Sequence, residues 1–407
     1  MAQLLGIQIR NYKALRDVRL GQIGYGKGDP LPTLVCCIGP NGSGKSTLLD
    51  AFGFLADCLR DGVEAACDQP HRGGFDRLRT QGSDGPISFV LYYRESPQAR
   101  PITYELDIDV RKNRAIVAAE KLLQRRKGQK HGRPFPFVKL VDGSGEAWSG
   151  EAIEGDEASS RVEVNLDDPA RLGITTLGQL KEHPRILGLR NYIEGWYLSY
   201  FVPDAARTLP PSGAQRHLDR TGANLGNYLQ YLRRQHPQRF AKVLKAVQPK
   251  IPGIESIDCV DSADRRLLIQ FNERGYADPF YQGSMSDGTL KFFAYLMLLQ
   301  DPEPHPLVGI EEPENGLYHR LLRGLAEEFL DHATSDHPTQ FFITTHSPTF
   351  VDAFRPEHVW LLQKEANGGV SAKNVRDIPT VSSLYKQGLP LGSIWFSRHF
   401  QEEGFAG

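Results

Sequence analysis

The chain has 407 residues, of which 40% are hydrophobic and 24% are charged, and this is the composition of an ordinary globular protein. Its formal net charge is −1, so the overall charge does not draw it to nucleic acid or anionic lipid, and any such binding needs a local patch. The five cysteines form no C-x-x-C pair, which favours reduced, buried thiols over a disulfide framework. No segment matches a signal peptide or a transmembrane span, so we expect a cytoplasmic protein without a membrane partner.

The first half of the chain contains strand patterns separated by polar segments. The first pattern, at Leu5, Ile7 and Ile9, alternates as in a half-buried strand, and "LPTLVCCI" predicts a strand buried on both faces. The strands predicted in this half lie at residues 5–9, 31–38, 88–93 and 102–110. A polar region follows, in which a basic stretch (121–133) precedes an acidic one (146–168).

The second half returns to regular patterns of helices and strands. Apolar residues recur at helical spacing in 225–232, 240–247, 289–299 and 317–331, and short apolar runs predict strands at 307–310, 341–345 and 358–362. The helix at 289–299 is apolar almost all round and is therefore predicted to be buried. The segment after the last strand is expected to lack regular structure.

These patterns predict an α/β core whose first and last segments come together. We expect residues 1–110 to form the N-terminal part of this core, 111–215 an insertion, 216–365 the remainder of the core, and 366–407 a C-terminal tail.

A glycine-rich loop, "GPNGSGKST" (39–47), matches G-x-x-x-x-G-K-[ST] between a buried strand and a helix. Glycines there let main-chain N–H groups curl around phosphate oxygens, Lys45 reaches the β and γ phosphates, and Ser46 offers its hydroxyl to Mg²⁺. The alternative is an ordinary glycine-rich turn. The residues predicted to bind nucleotide in this loop are Gly39, Pro40, Asn41, Gly42, Ser43, Gly44, Lys45, Ser46 and Thr47.

An acidic pair, Glu311 and Glu312, follows an apolar run in "IEEPENGL" (310–317). A carboxylate near a buried strand needs a cation or hydrogen bonds to offset its desolvation. Glu311 is therefore a candidate Mg²⁺ ligand, and Glu312 a candidate acceptor of a proton from water that attacks the γ-phosphate. The alternative is a strand end whose carboxylates are merely solvated.

Two further candidates lie in "GSMSDGTLKFF" (283–293) and after "FFITT" (341–345). Ser286 and Gly288 stand at the start of the apolar helix, where a hydroxyl and N–H groups face an anion, unless Ser286 is an ordinary helix cap. His346 is placed to reach a γ-phosphate, unless it is a structural histidine.

In this order, the four stretches resemble the ATP-binding-cassette heads of the RecF/SMC type, which are grouped with AAA-like ATPases of the OLD family. By this resemblance "GPNGSGKST" is a Walker A motif, "MSDGTL" a signature motif, "LVGIEEPENGL" a Walker B motif with its D-loop, and "ITTHSP" contains the switch histidine. The likeness covers residues 1–60 and about 220–362. It implies an α/β P-loop NTPase head with a β-rich nucleotide-binding lobe, a helical signature lobe and a β/α insertion.

The same resemblance implies function and partners. Such heads hydrolyse ATP with Mg²⁺ and form homodimers around two ATP molecules. Ser286 and Gly288 would contact the γ-phosphate bound to the second subunit, and Asn315 would lie at that interface. We therefore expect an ATP-gated dimeric switch in DNA-related processes, either genome maintenance or antiphage defence. We expect it to act with a separately encoded nuclease or Toprim-like effector, because the chain shows neither a long heptad pattern nor a Toprim domain.

Two other functions stay open: a nucleotide-dependent interaction or sensor module with slow turnover, and the ATPase subunit of a transporter. DNA binding rests on the basic stretch 121–133, "KLLQRRKGQKHGR", which would neutralise phosphates. The alternative is a solvated loop paired with the acidic stretch 146–168.

Overall fold

The structure is a computed structural model, and it describes residues 2–26, 28–149, 161–213, 215–251, 253–335, 339–397 and 399–400. Two parts of the predicted segments lie outside the described residues. They are part of the acidic stretch 146–168 and the end of the tail, 401–407.

The strands are β1 (Gln3–Tyr12), β2 (Leu15–Gly21), β3 (Leu34–Ile38), β4 (Ile87–Arg94), β5 (Ile102–Arg111), β6 (Arg114–Gln124), β7 (Phe135–Val141), β8 (Ser144–Trp148), β9 (Arg161–Asn165), β10 (Tyr197–Ser199), β11 (Ile254–Asp261), β12 (Leu267–Glu273), β13 (Phe280–Tyr281), β14 (Leu307–Glu311), β15 (Gln340–Thr345), β16 (Val359–Lys364) and β17 (Val370–Asn374).

The α-helices are α1 (Lys45–Asp61), α2 (Val63–Cys67), α3 (Phe75–Leu78), α4 (Gly173–Leu177), α5 (Pro184–Glu194), α6 (Pro203–Ala206), α7 (Leu225–Gln235), α8 (Pro237–Val247), α9 (Asp287–Leu299), α10 (His319–Ala333), α11 (Pro348–Val351), α12 (Pro379–Lys386) and α13 (Leu391–Phe396). Every helix and strand predicted from the apolar patterns is present, with ends shifted by a few residues.

One compact unit comprises Met1–Trp196 and Pro356–Pro379. Its largest sheet has eight strands in the order β2-β1-β4-β5-β6-β7-β8-β9, and all neighbouring strands are antiparallel. The alternating apolar residues of β5 are buried and pack across to β4, for example where Leu106 pairs with Phe89. The expected insertion, 111–215, thus contributes β6 to β9 to the sheet that begins at the N-terminus. The domain boundaries themselves stay a prediction.

The first strand differs from its prediction. From Leu4 to Ile9 every residue of β1 is buried, so the expectation of a half-buried strand is wrong. Gln8 tolerates burial because its amide donates a hydrogen bond of 2.5 Å to the Asp17 carboxylate in β2. An alternating pattern predicts that the polar residues face solvent, whereas here the neighbouring strand supplies a hydrogen-bond partner for Gln8.

The same unit also brings the first and last segments of the chain together, as predicted. Strand β3 is buried along its whole length and pairs in parallel with β16, with Cys36 opposite Val359, and β17 continues this arrangement antiparallel to β16. The expectation of an unstructured tail is wrong, because β17, α12 and α13 follow β16. Short elements with mixed polarity carry a weak periodic signal, and their order comes from neighbours distant in sequence.

The other compact unit runs from Tyr197 to Arg355 and resumes at Thr380. It contains the parallel strands β10, β14 and β15, in that order, and a small antiparallel sheet of β11, β12 and β13. Helix α9 is buried from Leu290 to Leu299, which confirms the prediction for this apolar segment. In the part of the chain that the structure describes, no helix combines the length and the apolar character needed to cross a membrane.

Candidate functional site

The glycine-rich loop begins where β3 ends. A Cβ atom added to Gly39 would lie 2.2 Å from the main-chain oxygen of Leu362 in β16, so only glycine fits there. Gly42 has a φ of 77° and open space around it, so its left-handed backbone conformation, rather than crowding, requires glycine. Gly39 therefore permits close packing of the loop on β16, and Gly42 permits the tight backbone turn that a phosphate-binding loop needs.

Lys45 is the first residue of α1, and it is 5% exposed. Its ammonium group donates to the main-chain oxygens of Gly39 (2.9 Å) and Pro40 (3.1 Å), which holds the positive charge within the curve of the loop. The buried hydroxyl of Ser43 has no hydrogen-bond partner among the described residues. Donors held in this way fit an anion that accepts several hydrogen bonds.

The start of α1 completes the phosphate-binding geometry. Helix α1 is 17 residues long, and Gly44 precedes it without a side-chain cap, so the first N–H groups and the positive end of the helix dipole face the loop. Ser46 is exposed in the first turn, where a hydroxyl suits a Mg²⁺ ion bound to phosphates. The residues of this loop therefore fit a nucleotide with Mg²⁺.

In the other unit the acidic pair lies at the end of β14. Glu311 is the last residue of the strand, opposite Thr344 of β15, and it is partly buried. Glu312 has a φ of 43°, a left-handed conformation that costs a non-glycine residue on the order of 1–3 kcal/mol. Its N–H group donates to the main-chain oxygen of Thr344 at 2.9 Å, so the surrounding sheet maintains this conformation.

The Glu312 carboxylate contacts two other residues of the motifs. Asn315 donates from its side-chain amide to Oε2 at 2.7 Å, and His346 Nε2 lies 3.0 Å from Oε1. The Glu312 and His346 side chains are 27% and 32% exposed, so water reaches both. The structure thus brings together the two residues predicted to be catalytic and the D-loop asparagine.

Glu314 is a site residue that the sequence reasoning missed. Its Oε1 accepts hydrogen bonds from the Thr345 hydroxyl (2.7 Å) and from the His346 N–H group (2.7 Å). Its Oε2 is buried without a hydrogen-bond partner among the described residues. Glu314 therefore fixes the position of the main chain at His346. A third carboxylate within "EEPE" was the available signal.

Lys291 is the second residue that was missed. It lies on the buried face of α9 and donates to the main-chain oxygens of Glu312 (3.0 Å) and Asn315 (3.2 Å). Burial lowers the pKa of Lys291, while the negative charges of Glu314 and Glu312 oppose that shift. The signal was a single lysine in an otherwise apolar helix, because a buried charge of this kind needs partners.

The residues of the signature stretch make contacts within their own unit. Ser286 caps α9, since its hydroxyl accepts from the Thr289 N–H group at 3.1 Å. A Cβ on Gly288 would lie 2.5 Å from the main-chain oxygen of Gly316, so this glycine permits close packing of the helix start on the loop after β14. Asp287 forms an ion pair with Arg207. The predicted contact of Ser286 and Gly288 with a partner's nucleotide stays a prediction.

An open cleft of ≈ 480 Å³ lies beside these residues in the same unit. Its walls combine aromatic rings with the acidic pair and the signature stretch. The lining residues are Ser199, Tyr200, Phe201, Pro203, Asp287, Lys291, Glu311, Glu312, Asn315 and Gly316. Glu311 and Glu312 therefore border space in which a ligand and water can be placed.

Comparison with known proteins places the chain in a family. Residues 34–169 and 183–352 match the family described as "AAA domain, putative AbiEii toxin, Type IV TA system". This match covers more than half of the chain, and the chain belongs to this family. A search of curated proteins found no match to the chain.

Solved structures show a similar fold at low sequence identity. An SMC head bound to the C-terminal winged-helix domain of ScpA is 13% identical, with a TM-score of 0.50, and the alignment covers 91% of this chain and 97% of that one. A second SMC head, with an extended coiled coil and bound to the C-terminal domain of ScpA from Pyrococcus furiosus, is 12% identical, with a TM-score of 0.49 and coverage of 95% and 100%. The predicted fold class, an α/β P-loop NTPase head of the ABC/SMC type, is confirmed. This fold implies that the chain binds a nucleotide.

Proposed function

We propose that the chain is a Mg²⁺-dependent ATPase that works as an ATP-gated dimeric switch. The observation that carries the proposal is the backbone of Glu312, held in a left-handed conformation with its carboxylate between Asn315 and His346. Strain maintained by the surrounding structure is typical of catalytic positions. The phosphate-binding loop supplies the complementary half of the chemistry, since its glycines and Lys45 suit a polyphosphate.

Each residue has a separate role in this proposal. Lys45 and the N–H groups of the loop bind the β and γ phosphates, and Glu312 orients the attacking water and accepts its proton. His346 contacts the γ-phosphate side of the same reaction and holds the Glu312 carboxylate in place. Mg²⁺, held by Ser46 and Glu311, would neutralise charge that develops on the phosphate oxygens. The substitutions that test these roles are Glu312→Gln and Lys45→Ala.

The dimer follows from the role proposed for the signature stretch. Ser286 and Asp287 begin a helix that is locked in its own unit by burial on nearly every side, and the exposed start of that helix borders the cleft. We propose that the second subunit's nucleotide docks there, so that two copies enclose two ATP molecules. An SMC head of similar fold is bound to a domain of ScpA. We propose that this chain also has a protein partner, a separately encoded nuclease or Toprim-like effector.

Adding ATP to the Glu312→Gln variant is expected to double the molecular mass measured by light scattering. Slow turnover would keep the nucleotide, and with it the second subunit, in place. The control is the same variant with Lys45→Ala added, which should stay at the mass seen without nucleotide. A strictly monomeric ATP-loaded variant, together with wild-type specific activity that does not rise with protein concentration, would rule out the dimeric switch.

Replacing Glu314 with alanine is expected to lower kcat about 10-fold and to leave the KM for ATP within about 2-fold. The change removes the acceptor that fixes Thr345 and the His346 N–H group, but it removes nothing proposed to bind the nucleotide. Glu314→Gln keeps an acceptor oxygen and should recover most of the activity. If KM rises as much as kcat falls, or if glutamine rescues nothing, Glu314 does not act by positioning His346.

A sensor with slow turnover is the second candidate, and the same contacts favour it. One oxygen of the Glu312 carboxylate contacts Asn315 and the other contacts His346. Glu312 must therefore exchange one of these partners for water before it can accept a proton, which would slow turnover. Asn315→Ala should then raise the turnover of a sensor, whereas it should lower that of an ATPase whose water is oriented by this network.

The proposed link to DNA rests on the basic stretch 121–133. Two of its arginines pack on aromatic rings: Arg125 lies 4.0 Å from the Tyr25 ring centre, and Arg126 lies 4.8 Å from that of Phe135. These arginines contribute to local packing, so the exposed Lys130 and Arg133 are the better positions at which to test contacts with phosphate.

A further inference from the structure

A cluster of two histidines and one aspartate lies in the second unit, outside all the motifs above. The candidate ligand atoms of His217, Asp301 and His305 all lie within 4.8 Å of one another. His217 belongs to the segment before α7, Asp301 follows the end of α9, and His305 lies just before β14. Two segments of the chain, the one before α7 and the connection between α9 and β14, therefore meet at this cluster.

Asp301 is the centre of this cluster. Its side chain is 1% exposed, Oδ2 lies 3.0 Å from His217 Nδ1, and Oδ1 accepts from the Glu303 N–H group at 2.9 Å. The Arg239 guanidinium donates to the main-chain oxygen of Asp301 at 3.1 Å. A carboxylate this deeply buried is stabilised by hydrogen bonds and by positive charge close to its oxygens, and a divalent cation supplies the second of these.

The two imidazoles are arranged around the carboxylate. The rings of His217 and His305 are 5.3 Å apart, and the His305 ring stacks on Tyr197 at 4.8 Å, which fixes its plane. Two imidazolium ions at this separation would repel each other, whereas two neutral imidazoles have lone pairs to donate. The cluster therefore combines two nitrogen donors and one anionic oxygen donor.

We propose that His217, Asp301 and His305 bind one divalent transition-metal ion of the Zn²⁺ class, with water completing the coordination. Zn²⁺ lies about 2.0–2.2 Å from imidazole nitrogen and carboxylate oxygen, which places neighbouring ligands about 3.4 Å apart in a tetrahedron. His217 Nδ1 and Asp301 Oδ2 lie at a hydrogen-bonding distance of 3.0 Å, and the 41% exposed His217 side chain has room to move to the slightly larger separation. Mg²⁺ prefers oxygen ligands in an octahedron and does not suit this set.

A second carboxylate lies on the other side of the His217 ring. If His217 binds the ion through Nδ1, its Nε2 faces the Glu303 carboxylate, whose Oε2 lies 4.0 Å away. A carboxylate behind a metal-bound histidine orients the ring and raises its basicity. The ion would also join the connection between α9 and β14 to the segment before α7, so it should stabilise this unit.

Three of the cysteines are held in the thiol form at neutral pH. Burial raises the pKa of Cys37 and of Cys67 to about 12, and that of Cys259 to about 11. These thiols stay protonated near pH 7, whereas the thiolate is the form that binds metals.

The test is a calorimetric titration of the untagged, nucleotide-free chain with Zn²⁺, repeated with Co²⁺ while the visible absorption is recorded. We expect one ion per chain, a rise in melting temperature and the absorption of tetrahedral Co²⁺. His217→Asn and His305→Asn should each weaken binding at least about 10-fold, because each removes a ligand. His131→Asn removes an exposed histidine of the other unit and should change nothing.

The proposal is wrong if the wild-type chain binds no Zn²⁺, or if both cluster variants bind it as tightly as the His131→Asn control. His217 is partly exposed, so His217→Asn should fold, and circular dichroism checks this. ATP hydrolysis plays no part in these measurements, so their outcome is independent of the proposed function.

Discussion

Replacing Glu312 with glutamine is expected to leave ATP binding within about 2-fold of wild type and to lower kcat at least about 100-fold, since a positioned base typically contributes 10²–10⁴. Glutamine has the same shape and tolerates the same left-handed backbone. It can still accept a hydrogen bond from Asn315 and donate one to His346. The negative charge is lost, and with it the ability to take a proton from water. Binding is measured with a fluorescent ATP analogue, and turnover by release of inorganic phosphate.

The matched control is Glu327→Gln, which changes an exposed glutamate of α10 that pairs with Arg323. This control should leave the affinity for ATP and kcat unchanged, because surface ion pairs contribute little to stability. Phosphate release by purified Glu312→Gln at the wild-type rate would remove Glu312 from the mechanism. Loss of ATP binding in this variant would show instead that the carboxylate supports the nucleotide and not the water.

Replacing Lys45 with alanine is expected to weaken ATP binding about 10- to 100-fold and to abolish turnover at ordinary ATP concentrations. A hydrogen bond from a charged donor contributes about 1.5–3 kcal/mol, and the phosphates would lose this one. The same substitution takes the donor away from the main-chain oxygens of Gly39 and Pro40, so a small loss of stability is expected as well. Calorimetric titration with ATP and a thermal melt separate the two effects.

Lys245→Ala is the control for charge, because it removes a lysine from the exposed face of α8. It should bind ATP like the wild type. If Lys45→Ala also binds ATP like the wild type while remaining folded, the glycine-rich loop is not the phosphate site. Loss of binding accompanied by a melting temperature far below that of the wild type would instead assign Lys45 a structural role.

Local patterns were enough to predict most of the elements and the motif residues. A buried strand, a glycine-rich loop and a helix occupy adjacent positions in the chain, so the geometry around Lys45 follows from neighbours in sequence. The same holds for α9, whose apolar residues predicted burial on nearly every side. The two wrong expectations, a half-buried β1 and an unstructured tail, concern segments whose burial depends on distant partners.

Other features depend on contacts between residues far apart in the sequence. Lys291 binds the main chain of Glu312 and Asn315 more than twenty positions later, and Glu314 binds His346 about thirty positions later. The convergence of His217, Asp301 and His305 spans more than eighty residues. Residue periodicity reports which face of an element is buried, but it carries no information on which distant side chain lies opposite. The sequence by itself therefore determined the motifs and the α/β class. Only the tertiary structure brought together the partners of Glu312 and the members of the histidine cluster. The physical reason is that a buried charged or polar group requires a partner, and only the packed chain supplies it.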